Sequence, residues 1–225
     1  MQKINKNPNS LPIFIIFLII SFLFFILDHN KYVYFLSWLF KPIEVFLHES
    51  SHLFMTLITG GSVEAFNLRV DHGHVISRNH YFGNLISSFS GYAGASFLGC
   101  LIYLSSFLAN KYIKGFILLF CLIPIIFIDG LITLFFTLYV ISVFYLCWKL
   151  ENIGQYLLRF IGVYVMTAAI YSPTYLFAYS DSGDHINLNN LTLLPSFIFI
   201  LLWLFISIFF LYFSFKFSLK YNKNT

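Results

Sequence analysis

The sequence predicts an all-α polytopic membrane protein with six or seven transmembrane helices and one small β-hairpin directly after a metal-binding helix. Three observations carry this prediction. The 225-residue chain is 59% hydrophobic and 10% charged, with a mean hydropathy of +0.82, whereas soluble domains carry about 25% charged residues. Apolar runs long enough to cross a bilayer recur along it, joined by short polar segments. One of these runs contains His48-Glu49-Ser50-Ser51-His52, and ionisable groups are expensive in hydrocarbon unless they have work to do.

The elements follow in order. Met1 to Ser10 is polar, with Lys3 and Lys6. Leu11 to Leu27 is apolar, long for a signal-peptide core, and no small-x-small cleavage site precedes Asp28-His29-Asn30-Lys31, so it reads as a retained first span. Tyr32 to Thr59 holds the second span, which Pro42 either kinks or starts. Gly60-Gly61 ends it. Val63 to Val70, Asp71-His72-Gly73-His74 and Val75 to Arg78 then read as a strand, a glycine-containing turn and a second strand.

Ile86 to Leu108 is the third span. It opens on Ser87-Ser88-Phe89-Ser90-Gly91-Tyr92-Ala93-Gly94-Ala95, small residues that let helices approach closely in lipid. Phe116 to Trp148 is too long for one ordinary span and suits two short ones, with Asp129-Gly130 at their junction. Tyr156 to Tyr179 and Leu193 to Phe215 are the remaining spans, separated by a polar loop from Ser180 to Thr192. Lysines near both ends favour cytoplasmic termini and an even number of crossings. No internal repeat or second soluble domain is visible, so residues 1–225 read as one integral membrane domain, multi-pass in a cell or inner membrane.

Composition also removes classes of function. The net charge of +4 is spread over termini and loops, with no basic stripe interleaved with aromatics, so nucleic acid is not an expected partner. Cys100, Cys121 and Cys147 each lie in an apolar run without a C-x-x-C pair and read as buried thiols.

H-E-x-x-H is the pattern that carries chemistry. Residues i and i+4 share one face of a helix, so His48 and His52 can hold one metal ion. Glu49 is then close enough to take a proton from water activated there, without being a ligand. With seven His and four Glu in the chain, the pattern has odds of roughly half a per cent by chance. Zinc needs a third protein ligand. Asp129, Glu151, Asp181, Asp184 and His185 are the candidates after the hairpin; Asp129 (next to Gly130, potentially intramembrane) and Asp184 (opening the last helix) stand level on the residues alone. Glu44, one turn before His48, is either a partner for an imidazole or a group near the membrane surface. His72, His74 and His80 offer an H-x-H group, and the plainer reading is exposed loop histidines.

From His48 to about Tyr212 the chain resembles the M50B-like branch of the M50, or site-2-protease, intramembrane metallopeptidases. The resemblance rests on His48 to His52, on Thr59-Gly60 as the helix end, on the hairpin turn Asp71-His72-Gly73-His74, on Gly91-Tyr92-Ala93-Gly94-Ala95, and on Asp184 followed by Leu191-Thr192 and Pro195. The register after the late acidic residue implies that the family's third ligand falls on Asp184, so that His48, His52 and Asp184 hold Zn²⁺ with Glu49 as general base. The sequence departs from the family where Ser-Asp-Ala becomes Gly183-Asp184-His185. Ile128-Asp129-Gly130 imitates the Leu-Asp-Gly motif of other site-2 proteases, but without the Asn-Pro element before it. The resemblance implies a zinc-dependent endopeptidase that cuts transmembrane substrate proteins in or near the lipid bilayer, with the hairpin presenting an edge strand to the extended substrate. The rival expectations are a membrane metal or haem protein that uses His48 and His52 as ligands and would not need Glu49, and an inactive relative that binds membrane partners, kept open by the choice of third ligand.

Overall fold

A computed structural model describes residues 10–28, 30–107, 111–178 and 182–223. Lys3, Lys6 and Asp181 lie outside the described residues, as does the side chain of Glu151. The chain is a helical bundle with one two-stranded antiparallel sheet. Four of its helices are long and apolar enough to cross a membrane, and two shorter apolar ones accompany them.

Helix α1 (Ser10–Ile26) and the short α2 (Lys31–Ser37) precede α3 (Lys41–Ile58). The expected single span from Tyr32 to Thr59 is thus two helices. Asn30 caps α2 by accepting from the Tyr32 N–H at 3.0 Å. Pro42, in the first turn of α3, starts the second helix rather than kinking a longer one. Gly60 ends α3 at φ +79°, a conformation that costs glycine nothing.

Strands β1 (Ser62–Leu68) and β2 (Gly73–Arg78) pair in the register Phe66 with Val75, Asn67 with His74 and Leu68 with Gly73. The Arg69 N–H donates to the His72 carbonyl at 2.8 Å and closes the turn. Helix α4 (Tyr81–Ser105) begins five residues before the expected span, because His80 caps it: Nδ1 accepts from the Gly83 N–H at 2.8 Å.

Helix α5 (Lys111–Leu122) runs through a 3₁₀ turn (Ile123–Phe127) to Ile128-Asp129-Gly130, and α6 (Leu131–Lys149) follows. The long apolar run is therefore two helices with Asp129 at the break, where Gly130 stands at φ +89°. That break has a second role. Ile128 bridges β1 at Phe66 on the side away from β2, and the Asp129 N–H donates to the Phe66 carbonyl at 3.1 Å.

Helix α7 (Glu151–Tyr175) packs against α4 at a glycine contact: a Cβ on Gly162 would lie 2.7 Å from the Gly99 carbonyl oxygen. Close approach of this kind replaces the hydrophobic drive that is absent between helices in lipid. The segment expected as polar loop up to Thr192 contains a further helix, α8 (Asp184–Thr192), and α9 (Ser196–Lys223) closes the bundle. Leu188 of α8 is fully buried with Phe199 and Trp203 of α9, against Phe89 and Tyr92 of α4. The Tyr81 hydroxyl donates to the Leu191 carbonyl at 2.6 Å. These contacts fix the first turn of α8 over the middle of α3.

Candidate metal centre

The one-turn spacing of His48 and His52 on α3 puts their Nε2 atoms 3.1 Å apart. Asp184, at the start of α8, brings its Oδ2 to 3.4 Å from His48 Nε2 and 3.2 Å from His52 Nε2. A tetrahedral zinc ion with ligands at about 2.0–2.1 Å has ligand–ligand edges of about 3.3–3.4 Å. The three observed sides match that triangle, and two imidazoles with one carboxylate are a fitting donor set for zinc. Among the described residues these three form the group of His, Cys, Asp and Glu side chains able to hold a metal ion.

Surrounding groups orient the donors. The main-chain carbonyl of Ser87 lies 2.7 Å from His52 Nδ1, so the proton sits on Nδ1 and leaves Nε2 as the acceptor that a metal needs. Tyr92 meets the His48 ring edge-on, with centroids 4.4 Å apart. Gly91 lies against both imidazoles: a Cβ there would stand 2.5 Å from His48 Cε1 and 2.6 Å from His52 Nε2. With no ion between them, the rings of His52 and His48 can also carry protons on Nε2; burial alone would raise the Asp184 carboxyl, but those charges and hydrogen bonds outweigh it and hold the group below the ordinary carboxylate range. Asp184 therefore stands as an anion beside the two rings.

Glu49 is buried, 8% exposed, and the hairpin covers it. A Cβ on Gly73 would come within 2.7 Å of Glu49 Cγ, so only glycine lets β2 begin this close to the carboxylate. A cavity of about 520 Å³ opens here, lined by His48, Glu49, His52, Asp184, Gly73 and His74 among others.

Other sequence candidates fall elsewhere. Asp129 is exposed on the far side of β1, where its main chain caps the strand. His185 is buried within α8. Glu44 accepts from the Ser172 hydroxyl at 3.0 Å, tying α3 to α7 instead of bonding an imidazole. His72 is exposed and paired with Asp71 at 2.8 Å, and His80 is the α4 cap.

Sequence reasoning did not assign Gly91, Gly73 or His74 to the site. The only signal for Gly91 was its place in the small-residue run on α4. That for Gly73 was its turn, and His74 was hidden by the freedom with which histidines occur in loops.

The hairpin has one closed edge and one open edge. Phe66 and Leu68 direct main-chain groups away from β2, to the Asp129 N–H and the Thr133 hydroxyl (3.1 Å each). Their partners Val75 and Gly73 must then direct theirs away from β1, as the antiparallel ladder alternates. No other described strand pairs with β2, and Gly73, Val75 and Ser77 line the cavity.

A family model described as Peptidase M50B-like matches residues 13–214. Neither the curated proteins nor the solved structures contain a match to the chain.

Proposed function

The chain belongs to the Peptidase M50B-like family, and from that membership we propose that it is an intramembrane zinc metalloendopeptidase that hydrolyses peptide bonds of transmembrane substrate proteins, the step at the centre of regulated intramembrane proteolysis. The observation that carries the proposal is the triangle of His48, His52 and Asp184 beside a buried Glu49, inside one cavity.

His48 and His52 through Nε2, and Asp184 through its carboxylate, would hold the ion. Bound zinc supplies Lewis acidity, polarising the scissile carbonyl and making water nucleophilic near neutral pH. Glu49 takes the proton from the attacking water and returns it to the leaving amine. Its burial under Gly73 keeps bulk water from competing for that proton. The open edge of β2 takes the substrate in extended form, with Gly73 and Val75 offering main-chain bonds next to Glu49. A helical substrate must unwind first, since its carbonyls are already hydrogen-bonded.

The four long helices with α1 and α5 make six crossings, and α3 would be a seventh. Six leave both termini on the lysine-bearing, cytoplasmic side of a cell or inner membrane.

The test is Glu49→Gln in protein purified and returned to liposomes with a library of single-span reporter proteins. Zinc content should stay equal to wild type, and cleavage should fall by about 10²- to 10⁴-fold. Cleavage at the wild-type rate would overturn the mechanism. Iron or haem in place of zinc would favour a binding protein.

A further inference from the structure

The cavity around the metal triangle is a channel with a direction. Helix α8 starts at the triangle with Asp184 and ends beside the start of α4, where the Tyr81 hydroxyl meets the Leu191 carbonyl at 2.6 Å. Strand β2 runs the same way, from Gly73 against Glu49 to Arg78, just before α4 begins. Helix α4 is the floor between them. Its residues 84, 87, 88 and 91 recur at helical spacing on one face. Two contacts fix where that face points: Gly91 lies against both imidazoles, and the Ser87 hydroxyl donates to the His52 carbonyl at 3.1 Å. Asn84 is on this face, one turn before Ser88 and two before Gly91, and both Asn84 and Ser88 line the channel. On the α8 wall, Asn187 is three residues after Asp184 and lines the channel with it, while the next residue, Leu188, turns into the core. Both asparagines are exposed there, and neither carboxamide bonds a described residue.

Resting on the peptidase reading above, we propose that Asn84 and Asn187 are substrate-binding residues that hold the edge of the extended substrate facing away from β2. A strand carries main-chain donors and acceptors on both edges. Addition to β2 occupies one edge, and the other faces α8 and the floor. A carboxamide has an acceptor oxygen and an N–H donor side by side, so it can bond the N–H and the C=O that one residue presents on that edge. The spacing fits. By helical rise Asn187 is about 4.5 Å from Asp184 along its helix, and Asn84 is about 10.5 Å from Gly91 along its own, a difference of about 6 Å. A strand offers main-chain groups to the same edge every second residue, or about 6.7 Å. Asn187 thus grips the residue nearer the scissile bond, and Asn84 grips the one two positions further out. Neither contact reads a side chain. Both require a free main-chain N–H, so proline is excluded at these two substrate positions.

The experiment uses full-length, zinc-loaded protein and a single-span peptide substrate, unmodified or N-methylated at one residue at a time over three residues on each side of the scissile bond. Wild type, Asn187→Leu, Asn84→Leu, Asn187→Gln and Glu49→Gln are compared for zinc content, kcat and KM. Each leucine variant should keep its zinc and raise KM by about 10-fold, with a smaller change in kcat. Asn187→Gln, which keeps the carboxamide, should recover part of that loss. The N-methyl profile supplies the readout that a structural role would not move. Asn187→Leu should become insensitive to one N-methyl position that harms wild type, and Asn84→Leu to the position two residues further out. Leucine variants with the wild-type profile would overturn the proposal, and so would loss of zinc or an unchanged KM. If Glu49→Gln cleaves like wild type, or wild type cleaves no peptide, the peptidase reading itself fails and the asparagines lose their role with it. If Glu49→Gln is inactive and the N-methyl profiles are all alike, only the asparagine proposal falls.

Discussion

His52 donates its Nδ1 proton to the main-chain carbonyl of Ser87, 2.7 Å away on α4. A helix of small residues thus sets the tautomer of a histidine on its neighbour, and the same helix passes so close that Gly91 lies against both rings.

That closeness makes Gly91 a sensitive position. A methyl group there must push His48 and His52 apart or lift α4 away. Gly91→Ala should weaken zinc binding by about 10- to 100-fold, the usual effect of disturbing groups that orient metal ligands. Competition with a chromogenic chelator measures it. Wild-type affinity would mean that the rings relocate freely.

Asp184 and Asp129 separate cleanly. Asp184→Ala should release zinc, since it removes the anionic donor of the triangle. Asp129→Ala should keep zinc, because its contribution to β1 is a main-chain N–H. Elemental analysis of the two purified variants decides between them, and the reverse result would move the third ligand to Asp129.

Acid should act on Asp184 in a defined direction. Its carboxyl is held below the ordinary range, so its charge stabilises the folded chain above the unfolded value of about 3.9, and that contribution is lost as pH falls through the lower folded value. In chelator-stripped protein, Asp184→Asn should lower the thermal midpoint at pH 7. The gap to wild type should shrink as pH falls below about 4. A gap that widens on acidification would contradict the assignment.

The two edges of the hairpin call for different prolines. Val75→Pro removes a donor that no described residue accepts, so fold and zinc should persist while cleavage falls. Leu68→Pro removes the N–H bonded to Thr133 and should destabilise the fold by about 1–3 kcal/mol. Chemical denaturation and reporter cleavage, run on both, separate the effects. Equal cleavage by Val75→Pro and wild type would argue against strand addition at β2.

Much of this was legible in the chain. H-E-x-x-H in apolar sequence announces its helix, because the spacing of the two histidines is the spacing of a helical turn. The hairpin is written in its alternation and its glycine turn. The two-helix reading of Phe116 to Trp148 follows from length, and Asp129-Gly130 marks where it breaks. Helix α8 was not legible. Asp184 to Thr192 is short and polar, and it is held by tertiary contacts through Leu188 and Tyr81 rather than by its own propensity. Nor could the open edge be read, since the group that closes β1 arrives from Ile128 and Asp129, some sixty residues downstream in sequence. The crowding at Gly91 is a property of two helices at once, which no single segment records.

Asp184 joins the site from α8, more than half the chain after His52. On the proposed donor set, a ribosome that has released α3 and the hairpin has already delivered the general base and both imidazoles, yet not the carboxylate that completes the triangle. On that reading, the site would stay incomplete until synthesis has passed Asp184. The triangle would close only once α8 has docked, after α7 in chain order. Order of insertion would then do here what a pro-segment does in many secreted proteases, and a chain truncated before Asp184 would lack the third corner of the triangle.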